Sequence, residues 1–147
     1  MKRIRRILYA TDFSPASRRA FDTALTMAKS LNARLTIVYV LTPVVTVPEQ
    51  YIDAATLDRL DKQARQWSAQ HLDQLAARAK KAGVKATVVL RDGEPADQIV
   101  RACRGTQSDL IVIGTHGRRG LPKFFLGSVA ERVVSAASCP VVTVRGT

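Results

Sequence analysis

Residues 109–138, DLIVIGTHGRRGLPKFFLGSVAERVVSAAS, join a short apolar run to a helical stretch through a glycine-rich loop. The run LIVI is typical of a strand buried in a parallel sheet. The loop contains Gly114, Gly117, Gly120 and Gly127. Glycine loses more conformational freedom on folding than any other residue. A cluster of glycines therefore indicates a backbone conformation or a close approach that other residues would not allow. The segment predicts a strand–loop–helix unit whose loop either only connects the two elements or holds an anion.

The same alternation of strand and helix continues along the chain. Apolar runs predict strands at 5–10, 34–40, 84–90, 109–113 and 140–145. Helical spacing predicts helices at 14–32, 56–82, 96–105 and from 128 onward. Such alternation predicts a parallel sheet covered on both faces, and right-handed crossovers favour a doubly wound one. The sequence thus predicts a single α/β domain over residues 1–147, with five parallel strands in the order 3-2-1-4-5 and a Rossmann-like nucleotide-binding fold.

Local signals mark several element ends. Ser14 is the expected N-cap of the first helix, with Pro15 at its first position. Gly83 is expected to end the long helix, and the segment 41–55, with two prolines, is expected to be a loop. The long helix carries an apolar stripe at helical spacing, in which the histidine is expected to be structural: Leu57, Leu60, Ala64, Trp67, His71 and Leu75.

Composition favours an ordinary globular protein. The 147 residues are 46% hydrophobic and 24% charged, which is typical of such a domain. The basic start, MKRIRRILYATDF, lacks the apolar core of a signal peptide, and no run reaches the roughly 18 apolar residues of a membrane span. Cys103 and Cys139 stand alone in the sequence and are expected to be buried free thiols. These features predict a cytoplasmic protein with no membrane association.

The net charge of +11 raises the rate at which the protein meets anionic partners. Basic residues are concentrated in two regions, and the others are scattered along the helices. The N-terminal region contains Lys2, Arg3, Arg5 and Arg6, and the glycine loop contains Arg118, Arg119 and Lys123. This distribution predicts several patches rather than one nucleic-acid-binding surface.

The predicted topology locates a ligand crevice. In doubly wound sheets, ligands bind beyond the strand carboxyl ends where the winding direction reverses, which here lies between strands one and four. The loops leaving those strands are TDFS, at 11–14, and the glycine loop. Because Ser14 is the expected cap of the first helix, Asp12 is not needed for capping. Its carboxylate can accept hydrogen bonds from ribose hydroxyls or help hold a metal, and the alternative is that it forms an Asx turn. Val40 ends strand two, where backbone groups are placed to read the edge of an adenine.

The glycine loop has the parts of a phosphate cradle without being a Walker A or GxGxxG sequence. Gly114 and Gly117 allow close approach of the backbone to a ligand. Gly127 and Ser128 open a helix, whose free N–H groups and positive dipole end favour phosphate. However, Ser128 and Glu131 also form an S-x-x-E capping box, which would stabilise the helix without any ligand. The loop by itself leaves both interpretations open.

The residues GTHGRRGLPKFFLGS match the G-x2-G-x9-G-[ST] signature of the ATP-binding branch of the universal stress protein family, which the chain resembles over its whole length. The stretches ILYATDFSPAS, IVYV and GEPADQIV are similar to the family's first strand and turn, second strand and third helix. The stretches SDLIVIGTHGRRGL and GSVAERVVSAASCPVVTVR resemble its C-terminal half nearly phrase by phrase.

The resemblance implies a nucleotide site. It implies that Asp12 and Gly114 contact the ribose, and that Val40 presents its backbone to adenine. It further implies that phosphates are held by Gly117, Gly127, Ser128 and Val129, often with a divalent metal, so that the expected cofactor is ATP with Mg2+. Three neighbours in the same two loops complete the predicted site: Thr11, His116 and Arg118. No catalytic arrangement and no set of protein metal ligands is readable from the sequence.

The last strand is the predicted dimer contact. Family members usually form homodimers through it, and PVVTV would be an apolar edge strand, which invites pairing. We expect an antiparallel contact at Val142, Thr143 and Val144.

Three functions follow from these features. The first is an ATP-binding regulatory protein in stress adaptation, whose bound nucleotide changes its interaction with a protein partner of unknown identity. The second is a slow ATPase or nucleotide-transferring enzyme, for which Asp12, Glu131 and His116 are the candidates to place a water molecule. The third is a nucleic-acid-associated basic protein, which the absence of a recognition motif and the aromatic content of 5% disfavour.

Overall fold

Strands and helices alternate along the part of the chain that the computed structural model describes, residues 2–43, 51–115 and 127–146. The strands are β1 (Arg6–Thr11), β2 (Arg34–Leu41), β3 (Ala86–Asp92), β4 (Leu110–Thr115) and β5 (Val141–Arg145). The helices are α1 (Pro15–Leu31), α2 (Ala54–Lys81), α3 (Pro95–Gly105) and α4 (Ser128–Ala136). This order confirms the alternation predicted from apolar periodicity.

The strands form one parallel sheet in the order β3-β2-β1-β4-β5, as predicted. β1 is the central strand, and it pairs with β2 and β4 at the same level: Ile7 lies opposite both Leu35 and Leu110. Residues 7–11 of β1 are all buried. A strand buried on both faces must be apolar throughout, which is why the run ILYA carries no polar alternation.

Two core layers lie on the two faces of the sheet. Ile7 and Tyr9 face one layer, which α1 and α2 cover, and Leu8 and Ala10 face the other, which α3 and α4 cover. This division follows from the two-residue period of a strand, which sends successive side chains to opposite faces. None of the helices in the described ranges combines the length and apolar character needed to cross a bilayer.

Helix ends agree in part with the sequence signals. Ser14 caps α1 by accepting a hydrogen bond from the N–H of Ser17 at 3.3 Å, with Pro15 as the first helical residue. Gly83, with φ of +85°, follows the last residue of α2 and its cap. The predicted loop at 41–55 is too long at both ends, because β2 extends to Leu41 and α2 begins at Ala54. Asp53 sets this earlier start by accepting a hydrogen bond from the N–H of Thr56 at 2.7 Å.

The apolar stripe of α2 is only partly buried. Leu57, Leu60 and Trp67 expose 42%, 47% and 47% of their surfaces. The buried residues of the helix lie further along it, at Ser68, Leu72 and Ala79. A helix of 28 residues is about 42 Å long, whereas the seven-residue β3 spans about 23 Å. The first turns of α2 therefore extend past the sheet that its second half covers.

The two cysteines are free and adjacent. Cys103 is buried and Cys139 is half-buried, so the expectation of buried thiols holds fully for the first. Their sulfur atoms lie 3.3 Å apart. Burial, with a contribution from the Cys139 thiol, raises the pKa of Cys103 to about 12. The buried thiol is therefore protonated near neutral pH and is a poor nucleophile.

Gly114 is needed for packing between α1 and β4. A Cβ at this position would lie 2.9 Å from the carbonyl oxygen of Ala16 and 3.3 Å from the Cα of Ser17. From the sequence, Gly114 is expected to allow the close approach of a ligand. The structure gives a second reason for glycine here, because the backbone of α1 occupies the space that a side chain would need.

We expect Gly114→Ala to lower the free energy of unfolding by about 1–3 kcal/mol, because the added methyl group must displace helix backbone. Urea-induced unfolding followed by circular dichroism measures the change. Gly105→Ala is the matched control: its methyl group would meet only the end of the Arg91 side chain, at 3.4 Å. Equal stability of Gly114→Ala and the wild type would contradict the packing role.

Candidate functional site

A cavity of about 280 Å³ opens at the carboxyl edge of the sheet, between β1 and β4. This is the point at which the winding direction reverses, as the topology predicted. Its walls come from the ends of β1, β2 and β4 and from the starts of α1, α3 and α4. Six residues of the predicted nucleotide site line it: Thr11, Asp12, Val40, Gly114, Gly127 and Val129.

The other predicted residues are placed differently. Ser128 is the first residue of α4, is exposed and does not line the cavity itself. Three predicted residues of the glycine loop, His116, Gly117 and Arg118, lie outside the described residues, as do the basic Arg119 and Lys123.

One side of the cavity is an apolar wall that the sequence motifs did not reveal. Val38 of β2, Ile113 of β4 and Ile99 of α3 line it and belong to the core layer under α3 and α4. Small residues at Ala10 and Ala130 leave the open space between them. The two-residue alternation of the strands would have placed Val38 and Ile113 on one face, but the contribution of α3 depends on how that helix packs.

Asp12 has the Asx-turn role considered for it, with one carboxylate oxygen left over. Its Oδ1 accepts a hydrogen bond from the N–H of Ser14 at 2.9 Å, so it does form an Asx turn. Within the described ranges its second carboxylate oxygen has no hydrogen-bond partner. The side chain is exposed and lines the cavity. One oxygen therefore shapes the turn while the other is available to a ligand.

Thr11 belongs to a buried hydrogen-bond network beneath the turn. Its hydroxyl lies 2.8 Å from that of Ser17 and accepts a hydrogen bond from the N–H of Phe13 at 3.0 Å. The Tyr9 hydroxyl donates to the carbonyl oxygen of Ser17 at 2.6 Å. Burial raises the pKa of Tyr9, so its phenol stays neutral and keeps this proton. The network ties the end of β1 to the first turn of α1.

Phe13 ties the same turn to α2. Its φ of 61° lies in the left-handed region, which non-glycine residues seldom adopt. Its ring packs against Tyr39 of β2 at 4.7 Å and against Trp67 of α2 at 5.2 Å, measured between centroids. His71 joins this cluster, and its Nδ1 lies 2.8 Å from the Trp67 carbonyl oxygen, a structural placement that agrees with its expected role.

The start of α4 differs from the predicted capping box. Gly127 is the N-cap, Ser128 is already helical, and no side chain caps this helix within the described residues. The capping-box alternative is wrong because Gly127, not Ser128, is the N-cap: the carbonyl oxygen of Gly127 accepts from the N–H of Glu131 at 2.9 Å. By contrast, α1, α2 and α3 are capped by Ser14, Asp53 and Glu94. The first N–H groups of α4 therefore remain available to an anion at the positive end of the helix dipole.

Comparisons with known proteins agree with this geometry. The model of the universal stress protein family matches residues 3–145. The universal stress protein YxiE of Bacillus subtilis is 33% identical over 150 residues, covering 95% of this chain and 98% of that relative. A crystal structure of a protein of this family from Burkholderia pseudomallei superposes with a TM-score of 0.74 at 30% identity, covering 97% of each chain.

A universal stress protein solved in complex with cAMP superposes with a TM-score of 0.73 at 25% identity, covering 99% of this chain and 100% of that one. A protein with the same fold over nearly its whole length therefore binds a nucleotide.

The left-handed backbone of Phe13 leads to a specific prediction about substitutions at this position. We expect Phe13→Gly to be about 1 kcal/mol more stable to unfolding than Phe13→Ala, although glycine usually destabilises relative to alanine. Both variants lose the ring contacts, so the difference reports the left-handed backbone alone. Thermal unfolding of the two variants side by side measures it, and an alanine variant of equal or greater stability would show that the position carries no strain.

Proposed function

Since this chain belongs to the universal stress protein family, we propose that it binds ATP in the cavity at the sheet reversal and acts through nucleotide-dependent interactions with a partner protein. The observation that carries the proposal is a juxtaposition across the cavity. The spare oxygen of Asp12 stands at one side, and the start of α4, which no side chain of the described residues caps, stands at another.

The cavity fits the three parts of a nucleotide. Val38, Val40 and Ile113 give an apolar slot for a base at the strand ends. A carboxylate oxygen of Asp12 accepts hydrogen bonds from ribose hydroxyls, and such bonds to charged groups contribute about 1.5–3 kcal/mol. The N–H groups of α4 suit phosphate oxygens, because phosphate favours the positive end of a helix. The universal stress protein solved in complex with cAMP supports a nucleotide as the ligand.

A metal in this site would be held mainly by the nucleotide. Within the described ranges, no group of three histidine, cysteine or acidic residues is placed to bind a cation. Mg2+ commonly keeps several water ligands and is held by one or two carboxylates together with substrate phosphates. We propose Mg2+ on the ATP phosphates, with Asp12 as the one carboxylate beside them among the described residues that line the cavity.

The arrangement favours binding over turnover. Asp12 is the only carboxylate among the described residues that line the cavity, and one of its oxygens is used by the turn. Glu131 is exposed on α4 and does not line the cavity. Placing a water molecule in line with the terminal phosphate needs a dedicated group. This sparse set supports the proposal of a regulatory role, with hydrolysis slow or absent.

The proposed assembly is a homodimer through β5. This strand is at the edge of the sheet, next to β4 alone. Val142 and Val144 are half-buried while Thr143 is exposed. An edge strand with free backbone groups and apolar side chains is prone to pair with a second copy.

Native mass spectrometry of the protein with ATP and Mg2+ tests both the nucleotide and the assembly. We expect a dimer that carries one ATP per chain. Gly127→Val should keep the dimer and lose at least about tenfold in ATP affinity, because a branched side chain fills the approach to the α4 N–H groups. The backbone of Gly127, with φ of −54° and ψ of 150°, is open to valine, so the fold should persist.

Ala136→Val, at the exposed far end of the same helix, is the matched control and should bind ATP like the wild type. Unchanged ATP affinity in Gly127→Val would remove α4 from the site. A monomer that carries ATP would refute the β5 contact but not the nucleotide site, and a dimer without ATP would do the reverse.

Phosphate release by the ATP-loaded protein tests the regulatory role. We expect fewer than about one turnover per second, below the usual range of enzymes. A faster rate, lost in Asp12→Asn, would identify the protein as an ATPase instead. The asparagine amide oxygen still accepts from the Ser14 N–H, so this variant removes the charge and keeps the turn.

A further inference from the structure

The amino-terminal edge of the sheet, opposite the cavity, gathers basic side chains that are far apart in sequence. Arg6 opens β1 and Arg34 opens β2, and the two lie directly opposite each other. Lys85 precedes β3, and its carbonyl oxygen accepts from the N–H of Leu35 at 2.9 Å. Adjacent strands are about 4.8 Å apart, so three cations form a row across three neighbouring strands.

Further cations extend this row past β1. A depression of about 640 Å³ is lined by the N-terminal segment and the end of α3, and it shares Arg6 with a second depression of about 420 Å³ beside Arg34 and Lys85. We call the cations that line the two depressions the basic edge: Lys2, Arg3, Arg5, Arg6, Arg34, Lys85 and Arg104. They are all exposed.

The basic edge has little opposing charge. Asp109 is the only carboxylate among the described residues that line the two depressions. It accepts hydrogen bonds from the N–H groups of Arg5 and Arg6 at 2.9 and 3.0 Å and pairs with Lys2 at 3.3 Å. These contacts, the Arg5 N–H first, lower the pKa of Asp109 despite its partial burial. This carboxylate is therefore already fully engaged.

The remaining side chains face solvent without partners of opposite sign. Across residues 2–43, 51–115 and 127–146, no ion pair involves the side chains of Arg3, Arg5, Arg34, Lys85 or Arg104. Arg104 lies in the last turn of α3 and complements its dipole. Like charges held together in this way repel one another, and a bound polyanion would relieve that repulsion.

We propose that the basic edge binds the phosphate backbone of a nucleic acid without regard to base sequence. A row of cations along the strand starts matches a chain of phosphates, and five of the seven are arginines, whose planar forks suit phosphate oxygens. The hydroxyls of Thr36 and Thr87 stand beside the row as further donors.

The same surface lacks the features of other modes of binding. No aromatic residue lines either depression, so there is no platform for stacked bases and no basis for sequence preference. Insertion into a membrane surface would need large exposed apolar side chains next to the cations. The largest apolar residue in either lining, Leu35, is 1% exposed.

The proposal is tested by fluorescence anisotropy of a labelled 20-base-pair DNA duplex in 50–200 mM NaCl. The site variant combines Arg5→Ala, Arg34→Ala and Lys85→Ala. The matched control combines Arg19→Ala, Arg59→Ala and Arg101→Ala, which remove the same charge from exposed positions on α1, α2 and α3. The control residues line neither depression.

We expect the wild type to bind duplexes of unrelated sequence with equal affinity. The site variant should lose at least about tenfold in affinity, and its slope of log affinity against log salt should be shallower by about 2.7, because each lost phosphate contact removes about 0.9. The control should keep the wild-type slope. Equal losses in the two variants would overturn the proposal, since binding would then follow net charge alone.

Two further outcomes would also overturn it: no binding of the wild type at 50 mM NaCl, or binding to phosphatidylserine vesicles without binding to DNA. Far-ultraviolet circular dichroism and thermal unfolding of the site variant check its folding independently of nucleotide binding. This inference does not rest on the proposed function, and failure of either leaves the other standing.

Discussion

The pairing of β1 with a parallel strand on each side is the constraint on which the rest of the structure depends. β2 continues the winding in one direction and β4 restarts it in the other. Because right-handed crossovers send α1 to one face and α3 to the other, the helices diverge at the carboxyl ends of β1 and β4. The gap between them is the cavity.

The same topology separates the molecule into two electrostatic ends. In each strand–helix unit the helix runs back against its strand, so helix N-termini meet at the carboxyl edge and C-termini at the amino edge. The carboxyl edge therefore offers the first N–H groups of α4, which no side chain of the described residues caps, beside a carboxylate of Asp12. The amino edge presents the row formed by Arg6, Arg34 and Lys85. A nucleotide and a polyanion would thus occupy opposite edges without competing.

Several residues at the cavity serve the fold and the proposed ligand at once. Gly114 lines the cavity, yet the backbone of α1 already fills its missing side-chain position. Thr11 lines it as well, with a hydroxyl committed to Ser17 and to the N–H of Phe13. The buried network and the aromatic cluster around Phe13 hold the turn in place from both sides. The turn that would bind a ribose is therefore built before any ligand arrives.

The sequence by itself determined the order of elements, the strand order and the position of the crevice, because periodicity, helix caps and crossover handedness are local or topological rules. It also placed Asp12, Val40 and Gly127 at that crevice. It left open whether the Ser128 side chain caps α4, since a capping box and an uncapped helix end share the same letters. Nor could it show that cations at positions 6, 34 and 85 form one row. That arrangement depends on strand register, which is set by how side chains pack between layers rather than by any short segment.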